Sequence, residues 1–486
     1  MKSASKFEKT AARCWNLLNE GKPFTPIFVL GSMLLFHIRS LDSIESLLNL
    51  GIGLMLIIPL LAVFYLYDFP LFLRNYLWIP FVAYVVIWDE INLLLLLFAS
   101  GLYFFFTVFF WGTFYYHLRI GTTWLNFSRF WKLVLKNSDS TSGNAQEQLP
   151  KFLLLLSIWE LVFSRLENNL IVPGGAILVF TGGVLLLAFI LHRYLFDWKP
   201  KAYESYTKER FQQPETALAD KAIVIVIDGM RKERFSDANT PFLDSLRENG
   251  TEYTNMETVY PARTVVCFSS MFTGTYPFEH GIKSNMVWKL GIKVESIFDS
   301  LRKVGKNGRL LGIAHLVDSM GSDVETVSAV AHHDKADPIM MAKARKIMKE
   351  QDPDLFIVQL IGTDQIGHSR GVLYDEYVDK IEKADKLIEE FVAELEKEGK
   401  MENTTLFICA DHGQADGIGG HGHLDEGERY VPFFVHGPHT PQGKKVEDRH
   451  SLVSLAPTLS FLLGAPFPDH SRGEVLTEAF ERNETV

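Results

Sequence analysis

The 486-residue chain is poor in cysteine: it has three, and Cys14, Cys267 and Cys409 stand far apart. Neither a disulfide-stapled scaffold nor a CxxC metal site fits that pattern. A basic surplus is missing as well, since 48 Lys and Arg face 58 Asp and Glu for a net charge of −10. That modest net charge says little about partners, and no nucleic acid polymer is expected among them. Internal repeats are absent too. The most informative scarcity is local. Acidic and basic residues are sparse through the first two hundred positions and concentrate after Tyr203. A membrane part followed by a water-soluble part is the organisation this implies.

What fills the first part is Leu, Phe, Ile, Trp and Tyr. Apolar runs suggest spans near Thr25–Ile38, Leu47–Tyr67, Tyr76–Trp88, Ile91–Tyr116, Phe152–Phe163 and Leu170–Leu195. A signal peptide would supply one such run, not six. Crossing takes about 20 residues, so the first, third and fifth are short. Aromatic and basic residues gather at Arg74–Trp78, Trp111–His117 and His192–Trp198, as interfacial belts do. Basic residues before the first span, in Arg119–Lys136 and after the last predict a cytoplasmic second part if all six cross. If one does not, that part moves to the other face. Asp89-Glu90 reads as an interfacial turn or a functional acid pair, and Glu160 is an acid within an apolar run. Asn168-Asn169 and Pro173-Gly174-Gly175 interrupt the last runs. The stretch Lys136–Gln148 is expected to be a polar loop. The organisation predicted is a multi-spanning region over 1–198, a linker over 199–220 and a soluble domain over 221–486.

In the second part the periods alternate. Strands are expected at Ala222–Ile227, Leu310–Leu316, Leu355–Ile361, Thr405–Ala410 and Val431–Val435. Helices are expected at Thr240–Asn249, from Thr264, at Val294–Val304, at Lys335–Glu350 and at Tyr374–Lys400. Such alternation predicts an α/β fold with a largely parallel sheet, helices on both faces and ligand groups at strand C-termini.

Four pieces carry chemistry at those termini. Ala222–Ile227 runs into Asp228-Gly229. Thr264, in Pro261-Ala262-Arg263-Thr264, opens a helix whose free N–H groups favour phosphate. Leu355–Ile361 runs into Gly362-Thr363-Asp364-Gln365-Ile366-Gly367-His368, and Leu406–Ala410 into Asp411-His412-Gly413. The glycine-rich Gly417–His423 brings His421 and His423 on a loop free to approach a crowded centre. Alone, Asp228 reads as a turn residue and Thr264 as a helix cap. Together, three Asp, three His and a Thr hydroxyl make two mixed nitrogen–oxygen sites suited to Zn²⁺ or Mn²⁺. Two such ions can clamp the attacking and leaving oxygens of a phosphoryl transfer. Arg263 either reaches phosphate bidentately or is a surface arginine. His280 reads as a turn residue, and His315, His332 and His333 fit no motif.

These pieces resemble the alkaline phosphatase superfamily, most of all its type I phosphodiesterase/nucleotide pyrophosphatase branch. The matching segments are VIDGMR (Val226–Arg231), PART (Pro261–Thr264), FTGTYPFEHGIKSN (Phe272–Asn285), GTDQIGH (Gly362–His368), ADHG (Ala410–Gly413) and GGHG (Gly419–Gly422). The tail Leu455–Gly473 matches too, and the first part not at all. The resemblance implies an alkaline-phosphatase-like fold in which Thr264 is the nucleophile of a phospho-enzyme. It further implies one metal on Asp228, Thr264, Asp411 and His412, and another on Asp364, His368 and His421, with His423 the alternative to His421. Asn285 takes the position that binds a non-bridging phosphate oxygen.

Some departures narrow the choice. Ser454 stands where the family often has Asp. The nucleophile is Thr and no large domain is inserted before Asp364, which argues against a cofactor-independent phosphoglycerate mutase. Thr264-Val265-Val266 lacks the Cys or Ser context that a sulfatase needs for formylglycine. The expectation is a membrane-anchored, two-metal phosphodiesterase in the cell membrane, acting on a lipid or lipid-linked phosphodiester. The alternative is a phosphoethanolamine or glycerophosphate transferase of the same superfamily. A membrane scaffold carrying a decayed domain is disfavoured, because every ligand position is filled.

Overall fold

A computed structural model of the chain describes residues 23–67, 69, 71–107, 145–195, 199–213, 216–285, 290–327, 333–416 and 420–480. The basic N-terminal segment, the aromatic group at 111–117, the basic stretch 119–136, most of the polar stretch after it, His332 and positions 417–419 lie outside the described residues. Two compact units emerge, one ending at Lys199 and one running on from Pro200.

The first unit is helical. Its longer helices are Phe24–Phe36, Ile44–Leu66, Trp78–Trp88, Leu93–Phe104, Ala145–Glu167 and Gly174–Ile190, the last continuing as a π-helical turn, Leu191–Leu195. Among the described residues, Ile44–Leu66 and Gly174–Leu195 are long and apolar enough to cross a membrane. They expose Leu47, Leu48, Met55, Leu178 and Val179. Ala145–Glu167 is instead enclosed by its neighbours, with Phe152, Leu155, Ile158, Trp159 and Val162 all fully buried. Trp159 donates from Nε1 to the Leu50 carbonyl at 2.9 Å. A Cβ at Gly53 would fall 2.4 Å from the Trp159 ring, so the glycine makes that crossing possible.

This helix corrects the expectation of a polar loop up to Gln148. Residues 145–148 already belong to it, and Glu147 and Gln148 are buried. Glu147 pairs with Lys151 one turn on and lies 3.5 Å from Arg74, while Gln148 accepts from Thr25 at 2.9 Å. Buried charge survives in an apolar bundle by such pairing. Glu160 is likewise engaged, by Asn92 at 2.8 Å and His37 at 2.7 Å. Asp89 closes its helix in the left-handed conformation, and Glu90 pairs with Arg165, so this acid pair forms a turn.

The second unit is built on a nine-stranded mixed sheet. Its strands are β1 (Lys221–Ile227), β2 (Thr251–Glu257), β3 (Gly308–Ile313), β4 (Val324–Val327), β5 (Leu355–Leu360), β6 (Thr404–Cys409), β7 (Tyr430–Val431), β8 (Phe433–His436) and β9 (Lys444–Ser451). The order is β4-β3-β5-β1-β6-β8-β2-β7, with β9 also on β2. The first five are mutually parallel, and β8 joins β6 antiparallel. Every residue of Ala222–Ile227 is at most 1% exposed, so both faces of the central strand are covered. An α/β fold with a largely parallel core is therefore present, edged by antiparallel strands.

Local chemistry explains the differences from expectation. Pro432 has no N–H to give a ladder, and it divides the single strand foreseen at Val431–Val435 into β7 and β8. β2 and β9 read TEYTNME and KKVEDRHS, too polar to show a strand pattern. Within the segment foreseen as a linker, Thr207 N–H donates to Ser471 O at 2.7 Å and Leu218 N–H to Leu462 O at 2.8 Å.

Candidate active site

Sheet order decides where the chemistry gathers. β5, β1 and β6 are neighbours, and parallel strands about 4.8 Å apart deliver the residues beyond their C-termini to one place. Asp228 follows β1 directly, its N–H bonded to Leu360 O at 2.9 Å. Asp364 lies in the first turn of the helix Gly362–Arg370, and His368 stands one turn on along the same face. Asp411 and His412 follow β6.

Thr264 is the first residue of the helix Thr264–Thr273, preceded by Arg263 in extended conformation. It is buried, and its Oγ1 lies 3.3 Å from His412 Nε2. Asn285 Oδ1 accepts the Val265 N–H at 2.9 Å. That bond fixes the amide oxygen on a helix N–H that has no partner within its own helix, leaving the NH₂ branch to donate elsewhere. A Cβ at Gly422 would fall 3.2 Å from Arg263 Nε, so the guanidinium lies along the loop of His421. His280 is a structural residue of the turn: it bonds Ser270 Oγ at 2.8 Å and accepts the Ile282 N–H at 3.1 Å. Burial lowers its pKa to about 3.

The acids and imidazoles form two groups, Asp228/Asp411/His412 and Asp364/His368/His421, each with donor atoms within 4.8 Å of one another. His421 belongs to a group and His423 to neither. The rings of His412 and His421 stack at 4.1 Å and join the two groups. His421 Nε2 faces His368 Nε2 at 3.2 Å.

The free atoms fit a cation. Asp228 Oδ2 accepts from Gln359 at 2.6 Å and Asp411 Oδ1 from the Gly229 N–H at 3.2 Å. Their other oxygens, Asp228 Oδ1 and Asp411 Oδ2, are buried with no donor and lie 3.5 and 3.4 Å from His412 Nε2. In the second group Asp364 Oδ1 accepts from Gln414 at 2.7 Å, and Oδ2 lies 3.3 Å from His368 Nε2. His412 Nδ1 faces Gly413 O, and His421 Nδ1 faces Ala262 O, each at 2.9 Å. A carbonyl only accepts, so both Nδ1 carry the proton and both Nε2 keep a lone pair for a metal.

Electrostatics point the same way. Burial and the neighbouring Asp411 push Asp228 well above the usual carboxylate range, and burial raises Asp411. Burial acts likewise on Asp364, but His368 and His421 outweigh it and hold that carboxyl below the usual range. Burial and His412 depress His421. Three carboxylates packed this closely repel one another, and divalent cations relieve that repulsion.

Sequence reasoning missed Gln359 and Gln414, the amides that orient two of the carboxylates. Gln359 had a signal, being the lone polar side chain in the otherwise apolar LFIVQL of β5. Gln414 had none beyond following Asp411-His412-Gly413.

Comparison with known proteins adds the family. The sulfatase family model matches residues 221–465, just over half of the chain. The human GPI ethanolamine phosphate transferase 3 catalytic subunit is 33% identical over 137 residues, 27% of this chain and 12% of its own. Schizosaccharomyces pombe GPI ethanolamine phosphate transferase 3 is 25% identical over 326 residues, 62% of this chain and 34% of its own. The chain thus spans from about a tenth to a third of these relatives. Murine ectonucleotide pyrophosphatase/phosphodiesterase 5 aligns with 54% of this chain and 100% of its own, at 14% identity and a TM-score of 0.47. With the family match covering the whole sheet and the residues at its strand ends, the second unit is a phosphoester-handling enzyme domain, and the chain belongs to the sulfatase family within the alkaline phosphatase superfamily.

Proposed function

We propose that this chain is an integral membrane phosphotransferase that moves ethanolamine phosphate, or a related head group, through Thr264 onto a lipid-linked alcohol. The observation that carries the proposal is the Thr264 hydroxyl, buried at a helix start 3.3 Å from His412 and beside two Asp/His groups. Several relatives are named as GPI ethanolamine phosphate transferases, which favours an alcohol acceptor over the water expected from sequence. Two helices long and apolar enough to cross a bilayer, with exposed Leu, Val and Met side chains, support a lipid-linked substrate.

In this reading Thr264 Oγ bonds to the phosphorus of the donor diester as the donor's alcohol leaves, the Thr264 proton passing to the departing alcohol oxygen. The acceptor hydroxyl then attacks the same phosphorus, the Thr264 Oγ–P bond breaks, and the acceptor's proton returns the Thr264 hydroxyl. Asn285 and the N–H groups of the helix start hold the non-bridging oxygens, and Arg263 is placed to join them. Asp228, Thr264, Asp411 and His412 would hold one divalent ion, and Asp364, His368 and His421 a second, with Zn²⁺ or Mn²⁺ suited to the donor set. Bound there, such ions supply Lewis acidity and charge screening. Sulfate-ester chemistry through formylglycine is unavailable with Thr at position 264.

The test is turnover of a labelled ethanolamine-phosphate lipid by full-length protein, with and without a glycolipid alcohol. Acceptor-dependent turnover with label on the glycolipid is expected. Release of label to water at the same rate in both arms would refute transfer and leave a phosphodiesterase.

A further inference from the structure

Glu428 lies just before β7 and is fully buried. Its Oε2 accepts three successive backbone N–H groups, from Gly422 at 2.9 Å, His423 at 2.7 Å and Leu424 at 2.8 Å. Consecutive N–H groups converging on one point form a concavity that takes an anion, and here the chain supplies the anion itself. Pointing all three the same way requires unusual backbone: φ is +123° at Gly422 and +55° at Leu424. A leucine in the left-handed region is disfavoured unless something holds it there, and the Glu428 carboxylate is bonded to that same residue.

The clamp begins at the residue after His421. His421 is itself aimed by Ala262 O on one ring nitrogen and faces His368 with the other. Glu428 also reaches the first group, but through its backbone: its carbonyl accepts the N–H of Gly413, next to His412, at 3.0 Å. The side chain thus serves the loop of His421, while the main chain serves the strand end of His412. Substituting the side chain removes the first link and spares the second.

We propose that Glu428 is a positioning residue that fixes the 422–424 backbone, sets the His421 imidazole over Asp364 and His368, and so selects His421 over His423 for that group. The proposal rests on reading Asp364, His368 and His421 as a metal-binding group. A glycine-rich loop has many conformations to lose, and the three-fold clamp removes that freedom before any ion arrives.

The test is a titration of metal-depleted, full-length protein with Zn²⁺ against a chromogenic chelator, alongside melting curves. The parent takes up two ions. Glu428→Ala is expected to weaken one of them about 10–100-fold and leave the other within about twofold. Glu428→Gln keeps the volume and one acceptor oxygen, so it falls between; it also decides the matter if the alanine variant does not fold. Both ions bound as in the parent, or both weakened alike, would overturn the proposal, the second outcome marking Glu428 as a general structural residue. An Asp364→Ala, His368→Ala variant separates the two readings. If it too retains both ions, the metal group itself is misassigned; if it loses one while Glu428→Ala loses none, only the role of Glu428 fails.

Discussion

Replacing Thr264 with Ala separates chemistry from folding, and the structure sets the size of both effects. The side chain is 4% exposed, and its hydroxyl makes a 3.3 Å contact with His412 Nε2, long for a hydrogen bond. Losing that contact costs about 1 kcal/mol at most, and the methyl-sized void costs about 1 kcal/mol more. Alanine returns a few tenths of a kcal/mol as the better helix former. The net is about 1–2 kcal/mol, or a Tm lowered by roughly 2–8 °C. Turnover, by contrast, loses its attacking oxygen and should fall at least about 10³-fold, leaving only binding and electrostatic stabilisation. Acid-quenching the parent with labelled donor should trap ethanolamine phosphate esterified to Thr264, Thr264→Ser should yield the corresponding serine ester, and Thr264→Ala neither. An alanine variant that keeps both metals and turns over within about tenfold of the parent would show that Thr264 is not the nucleophile.

Three further expectations follow from the same geometry. The Asp364→Ala, His368→Ala double variant should lose one of two metals in elemental analysis while the sheet remains folded; unchanged content would remove the second group from consideration. Gly367→Ala should lower both Tm and metal content, because a Cβ there would fall 1.9 Å from Gln414 Oε1, and Gln414 holds Asp364. A variant with parental values would mean that Gln414 has room to retreat. His280 has its pKa lowered from 6.5 to about 3 by burial. The unfolded state therefore binds the extra proton between those values, and stability should fall as pH drops from about 6.5 towards 3, by up to about 1.4 kcal/mol per unit. His280→Gln should flatten that slope in denaturant titrations against pH; an unchanged slope would place the titrating group elsewhere.

The central strands were legible in the sequence because parallel strands buried on both faces read as unbroken apolar runs, as in KAIVIVI and LFIVQL. The acids at their ends were legible because they interrupt those runs abruptly. β2 and β9 escaped because hydrogen bonding to neighbours, not an apolar pattern, makes them strands. The helix Ala145–Glu167 was underestimated for a related reason: Glu147, Gln148 and Lys151 look like loop residues until Arg74 and Thr25 are brought to them by the fold. The division of the six Asp and His donors into two groups was available only through resemblance, since spacing along the chain carries no information about which strands are neighbours. Gln359 and Gln414 show the same limit from the other side, as each acts through a carboxylate far away in sequence.

The adjacency of β5, β1 and β6 makes the site insensitive to what the chain does between them. Asp228, Asp364 and Asp411 follow strands whose neighbours are set by the sheet, so lengthening a crossover changes the path and not the destination. Doubling a flexible connection costs only about 0.6 kcal/mol. The turns at the opposite ends of the strands, near Asn307, Asp352 and Asn403, are tied to one another by backbone bonds such as Asp354 N–H to Asn307 O and Lys221 N–H to Asn403 O. Material added just outside those bonds, for instance at the exposed Glu398-Gly399 turn, leaves every donor atom where it was. Added at Gly422, the same material would separate His421 from its clamp. The end where the central strands begin is thus open to new modules, while the end where they finish admits change only residue by residue.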